Sequence, residues 1–201
     1  MTTEEQILEA ARKVFISKGL DGSRMQEIAD EAGINKALLH YYFRSKEKLF
    51  ERIFAEAMQR ILPQVYESIG KSENIAVFIR EFINNYITLL RYFPFLPLFV
   101  LHEINRDPSR IASIVKGKGL PVVQLQKLID RDVEAGRMIP IPAEHLMINI
   151  MSMIVFPVVA RPFIKVIVFN NDADRYEPFF EERKDMIIAF VTRAIGYKMT
   201  E

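Results

Sequence analysis

Between Asn35 and Lys48 the chain reads NKALLHYYFRSKEK. Lys36, Arg44, Lys46 and Lys48 are cations that donate hydrogen bonds to anionic oxygens, and His40, Tyr41 and Tyr42 add ring nitrogens and hydroxyls. On a helix, 100° per residue sorts these groups. Ile34, Leu39, Tyr42 and Phe43 turn inward, and Lys36, Ala37, Leu38, His40 and Tyr41 turn outward. A short helix with that outer face suits the major groove of a duplex, its first residues at base edges. Lys46 adds charge where the next helix begins, beside a helix dipole that favours phosphate. Residues 36–48 carry +3 and residues 1–35 carry −3, so positive charge is concentrated on this stretch although the whole chain carries only +1. A solvated basic face on an ordinary helical bundle is the plainer alternative.

Other chemistry finds little support. The 201 residues contain no cysteine, and His40, His102 and His145 are far apart. Nothing has metal-ligand spacing, and there is no Gly-rich phosphate loop or paired-carboxylate motif. The sequence therefore predicts no enzyme, no metal and no cofactor. The polar, acidic start MTTEEQ is unlike a signal peptide, which predicts a cytoplasmic protein. The longest charge-free run, Leu146 to Ala160, has 15 residues, short of the ~20 that a membrane-spanning helix requires.

The elements that position the basic stretch follow from periodicity and caps. Ile7, Leu8, Ala11, Val14 and Phe15 predict a helix over 4–18 that stops at Gly19. Ser23 and Gln26 match a capping box for a short helix over 25–32 that ends at Gly33. Asn35 caps a third helix, Lys36 to Phe43, and Ser45 caps a long one from Lys46 to about Leu62, with Pro63 at its end or at a kink. Ile28 and Ala32 must be apolar to meet the partner helix, and Ala29 must be small. Gly33 must take positive φ, and Ile34, Leu39 and Tyr42 must be apolar. These are the demands of a helix-turn-helix.

Further helices are expected from Ile75 to Tyr92 after Asn74, at 97–105, from Asp107 to about Ala135, and from about Ala143 to a bend or stop at Pro157. FIKVIVF, 163–169, is β-branched, but without a partner strand it is expected to be helical or irregular. A last helix runs from Glu177 to about Tyr197. The fold class is all-α. A three-helix helix-turn-helix domain is expected over residues 1–48, followed by a helical-bundle regulatory and dimerisation domain over 49–201.

AARKVFISKGLDGSRMQEIADEAGINKALLHYYFRSKEKLF resembles the N-terminal domain of the TetR family of transcriptional regulators. The matching marks are Ala11, Phe15 and Gly19, then the EIA block and GI from Glu27 to Ile34, then L-x-x-YF-x-x-KE-x-L from Leu39 to Leu49. The resemblance covers about the first 50 residues, and the rest matches only in being helical and hydrophobic. It implies that Ser23 and Gln26 meet DNA backbone or a base, and that Lys36, Ala37 and Leu38 stand at the base-reading start of the recognition helix. Tyr41, Tyr42 and Lys46 are implied at phosphates. Two residues depart from the family pattern: His40 stands where tyrosine is usual and Leu38 where a small polar residue is usual. Leu38 either touches a thymine methyl or packs on the helix before it.

The resemblance also implies a homodimer formed by the last two long helices, and a palindromic duplex operator. LMINIMSMIVF, 146–156, is apolar nearly all round, and the last helix is apolar beyond one stripe, which independently predicts a partner surface. Met153, Phe156, Ile187, Phe190, Val191 and Ile195 are its expected members. A small hydrophobic effector is expected among Phe78, Phe82, Tyr86, Phe99, Met147 and Met151, oriented by His102, Glu103 and Asn149. Ordinary core packing is the alternative for each apolar member. A repressor released by that effector is the expected function. The alternatives are a regulator without an effector, an activator, or a helical lipid- or ligand-binding protein.

Overall fold

The computed structural model describes residues 2–106, 108, 109 and 121–198, with the side chains of 58, 60–62, 64, 66, 99, 102, 103, 106 and 173 left aside. The elements are α1 (Thr3–Gly22), α2 (Met25–Glu31), α3 (Lys36–Tyr42), α4 (Lys46–Lys71), α5 (Ile75–Tyr92), α6 (Leu96–Arg106), α7 (Val122–Glu134), α8 (Ala143–Val159), α9 (Arg161–Ile167) and α10 (Tyr176–Ala194). A 3-10 turn, Ala173–Arg175, precedes α10. No strand occurs among the described residues, and 163–169 is mostly the helix α9. The fold is all-α. Two compact units form, Met1–Leu62 with Tyr92–Gly117, and Pro63–Arg91 with Lys118–Glu201.

In the first unit, Thr2 caps α1. Its hydroxyl accepts from the Glu5 N–H at 3.2 Å, and its own N–H donates to the Glu5 carboxylate at 2.7 Å. Ile7, Leu8, Ala11, Val14 and Phe15 then fall on one buried face. Phe15, Phe50 and Phe95 meet at centroid distances of 5.6–5.9 Å in tilted and edge-on geometry. Burying a side chain of this size stabilises by about 1.5–3 kcal/mol. α2 ends in paired hydrogen bonds, Gly33 N–H to Asp30 O at 3.1 Å and Ile34 N–H to Ala29 O at 3.0 Å. That Schellman arrangement requires a left-handed residue, and Gly33 supplies it at φ 66°. The Gln6 amide donates to Ala32 O at 2.7 Å, tying the end of α2 to α1.

Three expectations about element ends are corrected. Ser23 does not cap α2: it is the C-cap of α1, and Arg24 is the N-cap of α2, its N–H bonded to the Glu27 carboxylate at 3.1 Å. α4 continues past Pro63 to Lys71, and α8 past Pro157 to Val159. Each proline removes one donor without stopping its helix. Of the helix expected from Asp107, residues 107 and 110–120 lie outside the described residues, and the described part is α7.

In the second unit, α7 supplies the ends of other helices. The Arg131 guanidinium donates to Ser72 O at 3.1 Å and Glu73 O at 2.6 Å, just past α4. The Asp132 carboxylate, fully buried, accepts from the Ile75 N–H at 2.7 Å at the start of α5 and from Arg137 Nη2 at 2.6 Å. The Gln126 side chain accepts from the Ala143 N–H at 2.8 Å at the start of α8. α8 packs on both α7 and α10. Among the described residues no single helix is long and apolar enough to cross a membrane, and α8 and α9 meet at a 71° bend.

Candidate nucleic-acid interface

α3 is held from its two ends and from beneath. Asn35 caps it, its side-chain oxygen accepting from the Leu38 N–H at 2.8 Å. Leu39 is fully buried, beside the buried Ile28, Ala29 and Ala32 of the α2 segment. α3 closes at Phe43, whose extended backbone (φ −137°, ψ 111°) leads into α4. Ser45 caps α4 through the Lys48 N–H at 3.3 Å.

The predicted outer face is confirmed as exposed: Lys36, Ala37, Leu38, His40 and Tyr41 all reach solvent, Tyr41 at 82%. Leu38 at 37% exposure rests partly on the protein and partly in solvent. Gln26 is also exposed, its amide donating to Asp30 at 2.7 Å on the same helix.

Tyr42 departs from the sequence reading. It was placed inward but is 40% exposed, meeting Tyr41 edge-on at 5.5 Å. Counting from Leu39, position 42 lies about 60° off the buried direction on one side and position 43 about 40° off on the other. Phe43, 9% exposed, therefore takes the inner place. Ser23 is buried, and its hydroxyl donates to Gly19 O. Lys46 is half-buried, and its ammonium donates to Leu20 O at 2.9 Å, Asp21 O at 3.2 Å and Ser23 O at 3.5 Å. Both side chains are thus engaged within the protein.

The acidic residues of α2 are drawn to α1. Lys18 pairs with Glu27 at 2.9 Å and Lys13 with Glu31 at 3.0 Å. The Lys18 hydrogen bond, helped by the Arg24 N–H, holds the Glu27 carboxyl below its ordinary 4.5. Arg24, the N-cap of α2, is an exposed cation that sequence reasoning did not assign to the site, and Arg44, counted with the basic stretch, is exposed just past the end of α3.

The other predicted sets divide differently. Met147 lines an apolar cavity of about 150 Å³ with Ile69, Pro121, Val122, Leu125, Glu144 and Ile148. Phe78, Phe82 and Tyr86 instead stack along α5 at 5.7 and 5.9 Å, with Phe78 and Phe82 buried in the core. Burial pushes the Tyr86 hydroxyl up to about 12. Asn149 is exposed and Met151 half-buried, and neither lines that cavity. The side chains of Phe99, His102 and Glu103 lie outside the described residues. Among the expected interface residues, Ile187, Val191 and Ile195 are buried within the protomer. Phe156 and Phe190 are exposed and Met153 is half-buried. Ile148 and Met186 are also exposed, on α8 and α10 respectively.

Comparison with known proteins agrees with this geometry. The sequence profile of "Bacterial regulatory proteins, tetR family" matches residues 7–53. The chain is 24% identical over 190 residues to the "Probable HTH-type transcriptional regulator YttP" of Bacillus subtilis (strain 168), covering 92% of this chain and 91% of that one. It is 27% identical over 148 residues to the HTH-type transcriptional regulator RutR of Escherichia coli (strain K12), covering 73% and 69%. A linker-substituted HlyIIR protein superposes with a TM-score of 0.65 at 26% identity, over 99% of this chain and 98% of that one. YttP and RutR are both described as HTH-type transcriptional regulators. With α2 and α3 built as a helix-turn-helix and α3 presenting its outer face, residues 7–53 form a DNA-binding domain of the TetR type, in a chain whose relatives are HTH-type transcriptional regulators.

Proposed function

We propose that the protein acts as a homodimeric repressor. It reads a palindromic duplex operator through α3 and leaves it when a small hydrophobic effector occupies the second unit. The observation that carries the reading is the two-sidedness of α3: Leu39 is fully buried while Lys36, Ala37, Leu38, His40 and Tyr41 are exposed on seven residues of helix. Lys36, Ala37 and Leu38 sit at the base edges, and Leu38, at 37% exposure, offers apolar surface to a thymine methyl. His40, Tyr41, Tyr42, Gln26, Arg24 and Arg44 reach the phosphates. That term is independent of sequence and falls steeply with salt.

Twofold pairing is supported by Ile148 and Phe156 on α8 and Met186 and Phe190 on α10, each more than 60% exposed on helices that pack together. Bare aromatic and aliphatic surface of this kind is the mark of a partner face. A twofold dimer presents two copies of α3 to half-sites about one helical turn apart. The apolar cavity at Met147 supports an effector. At about 150 Å³ it is smaller than the roughly 300–1,000 Å³ of pockets for drug-sized ligands, so an effector is small or widens it. Release follows only from the effector's difference in affinity for the bound and free conformations.

Selection from a random-sequence duplex library tests the reading. The expected result is a palindromic site whose preference shifts when Ala37 or Leu38 is replaced. Recovery of no salt-dependent duplex refutes it.

A further inference from the structure

The ammonium of Lys46 has three protons and three carbonyl acceptors: Leu20 O, Asp21 O and Ser23 O, at 2.9, 3.2 and 3.5 Å. All three belong to the segment where α1 gives way to α2. α1 is kinked at Gly19, which takes φ 70° and ψ 174°, and the carbonyls after this kink lie in its last turn and at its C-cap, Ser23. The last turn of α1 contains no basic residue to meet them.

The position of Lys46 on its own helix needs a cause. It is the first residue of α4, where the positive end of the helix dipole disfavours a cation. The carbonyls of the α1 end reverse that balance. We infer that Lys46 is a positioning residue for DNA reading: it fastens the start of α4 to the α1–α2 junction and so closes the chain into a ring around α3. α2 leads into α3 and α4 leaves it, and α3 has only seven residues. The orientation of its outer face is therefore set by what holds those two flanks. The inference rests on the DNA-reading role and departs from the phosphate contact that the sequence implied for this lysine. With its three donors occupied within the protein, Lys46 acts on the duplex through α3.

Salt dependence separates the two roles. A phosphate contact contributes about 0.9 to the slope of log K against log salt, or about 1.8 for two protomers. The duplex is the one recovered by random-library selection, and its affinity is measured by fluorescence anisotropy at several salt concentrations. Lys46→Met keeps the aliphatic stem and removes the donors. The expected result is an affinity about tenfold weaker with the salt slope unchanged. Lys46→Gln retains uncharged donors, folds without an unpaired charge, and should recover part of the affinity at the same slope. Amide hydrogen exchange of the DNA-free protein should quicken at Ser23 and Arg24 in Lys46→Met. A slope shallower by about 1.8 in both variants overturns the inference, because Lys46 would then be a phosphate ligand. Unchanged affinity with a lowered melting temperature also overturns it, because the clamp would then serve stability alone. A wild-type protein that binds no duplex is a separate result, which removes the DNA-reading role itself.

Discussion

The turn between α2 and α3 offers a graded test of what its geometry costs. Gly33 has φ 66°, and a Cβ built there meets no atom within 4 Å. Replacement therefore meets no steric obstacle from neighbours, and the whole penalty is backbone strain. For alanine in the left-handed region that strain is roughly 1–2 kcal/mol, partly offset by a stiffer unfolded chain, leaving about 1 kcal/mol. Asparagine tolerates the left-handed region and should lose less than alanine. Valine, branched at Cβ, should lose more. The local reporter is the Ile34 N–H, bonded to Ala29 O at 3.0 Å across the turn. Its hydrogen exchange by NMR should quicken by about fivefold in Gly33→Ala if opening of the turn limits exchange. The order of protection should be Gly, Asn, Ala, Val. Equal protection in the Asn and Val variants would refute the claim that left-handed strain governs this turn. A loss in Gly33→Ala as large as a core deletion would show a clash where the structure has open space.

Phe15→Ala removes the side chain at the centre of the Phe50 and Phe95 cluster and should cost about 3–5 kcal/mol, seen as a lowered thermal midpoint by circular dichroism. Asp132→Ala deprives the Ile75 N–H of its buried charged acceptor, a bond contributing roughly 1.5–3 kcal/mol, and should lower the midpoint more than Asp130→Ala on the same helix. Phe156→Asp with Phe190→Asp should yield a monomer by sedimentation velocity, whereas Ile187→Asp should unfold the protein because that residue is core. The depressed pKa of Glu27 means that its contribution is fully present above its ordinary 4.5 and is lost as pH falls through the lower folded value. Glu27→Gln should remove that part of the acid sensitivity.

Most of α3 was legible because its signals are local. Asn35, Gly33 and Leu39 each act within a turn or two of themselves, so periodicity and capping rules found them. Tyr42 reads as inward from apolar pattern alone, but positions 42 and 43 lie on opposite sides of the buried direction and Phe43, the nearer, fills it. α10 was ambiguous for another reason. Apolar residues spread beyond one stripe leave the inward face unread, and packing of the protomer put Ile187 and Val191 inward and Met186 and Phe190 outward. Lys46 was invisible as a clamp because its acceptors are backbone carbonyls more than twenty residues away. No side-chain pattern marks a carbonyl.

Gln126, Arg131 and Asp132 bear on how this protein could be recombined. The residues after the end of α4 and the starts of α5 and α8 all find their partners on α7, at positions far apart in the chain. A hybrid that joins this second unit to a foreign reading head has its splice point set by that fact. A graft that includes residues 63–75 must also bring Val122–Glu134 and Ala143. A shorter graft would leave the Ile75 amide and the Ser72 and Glu73 carbonyls without these partners, and the hybrid would misfold before any question of its function arose.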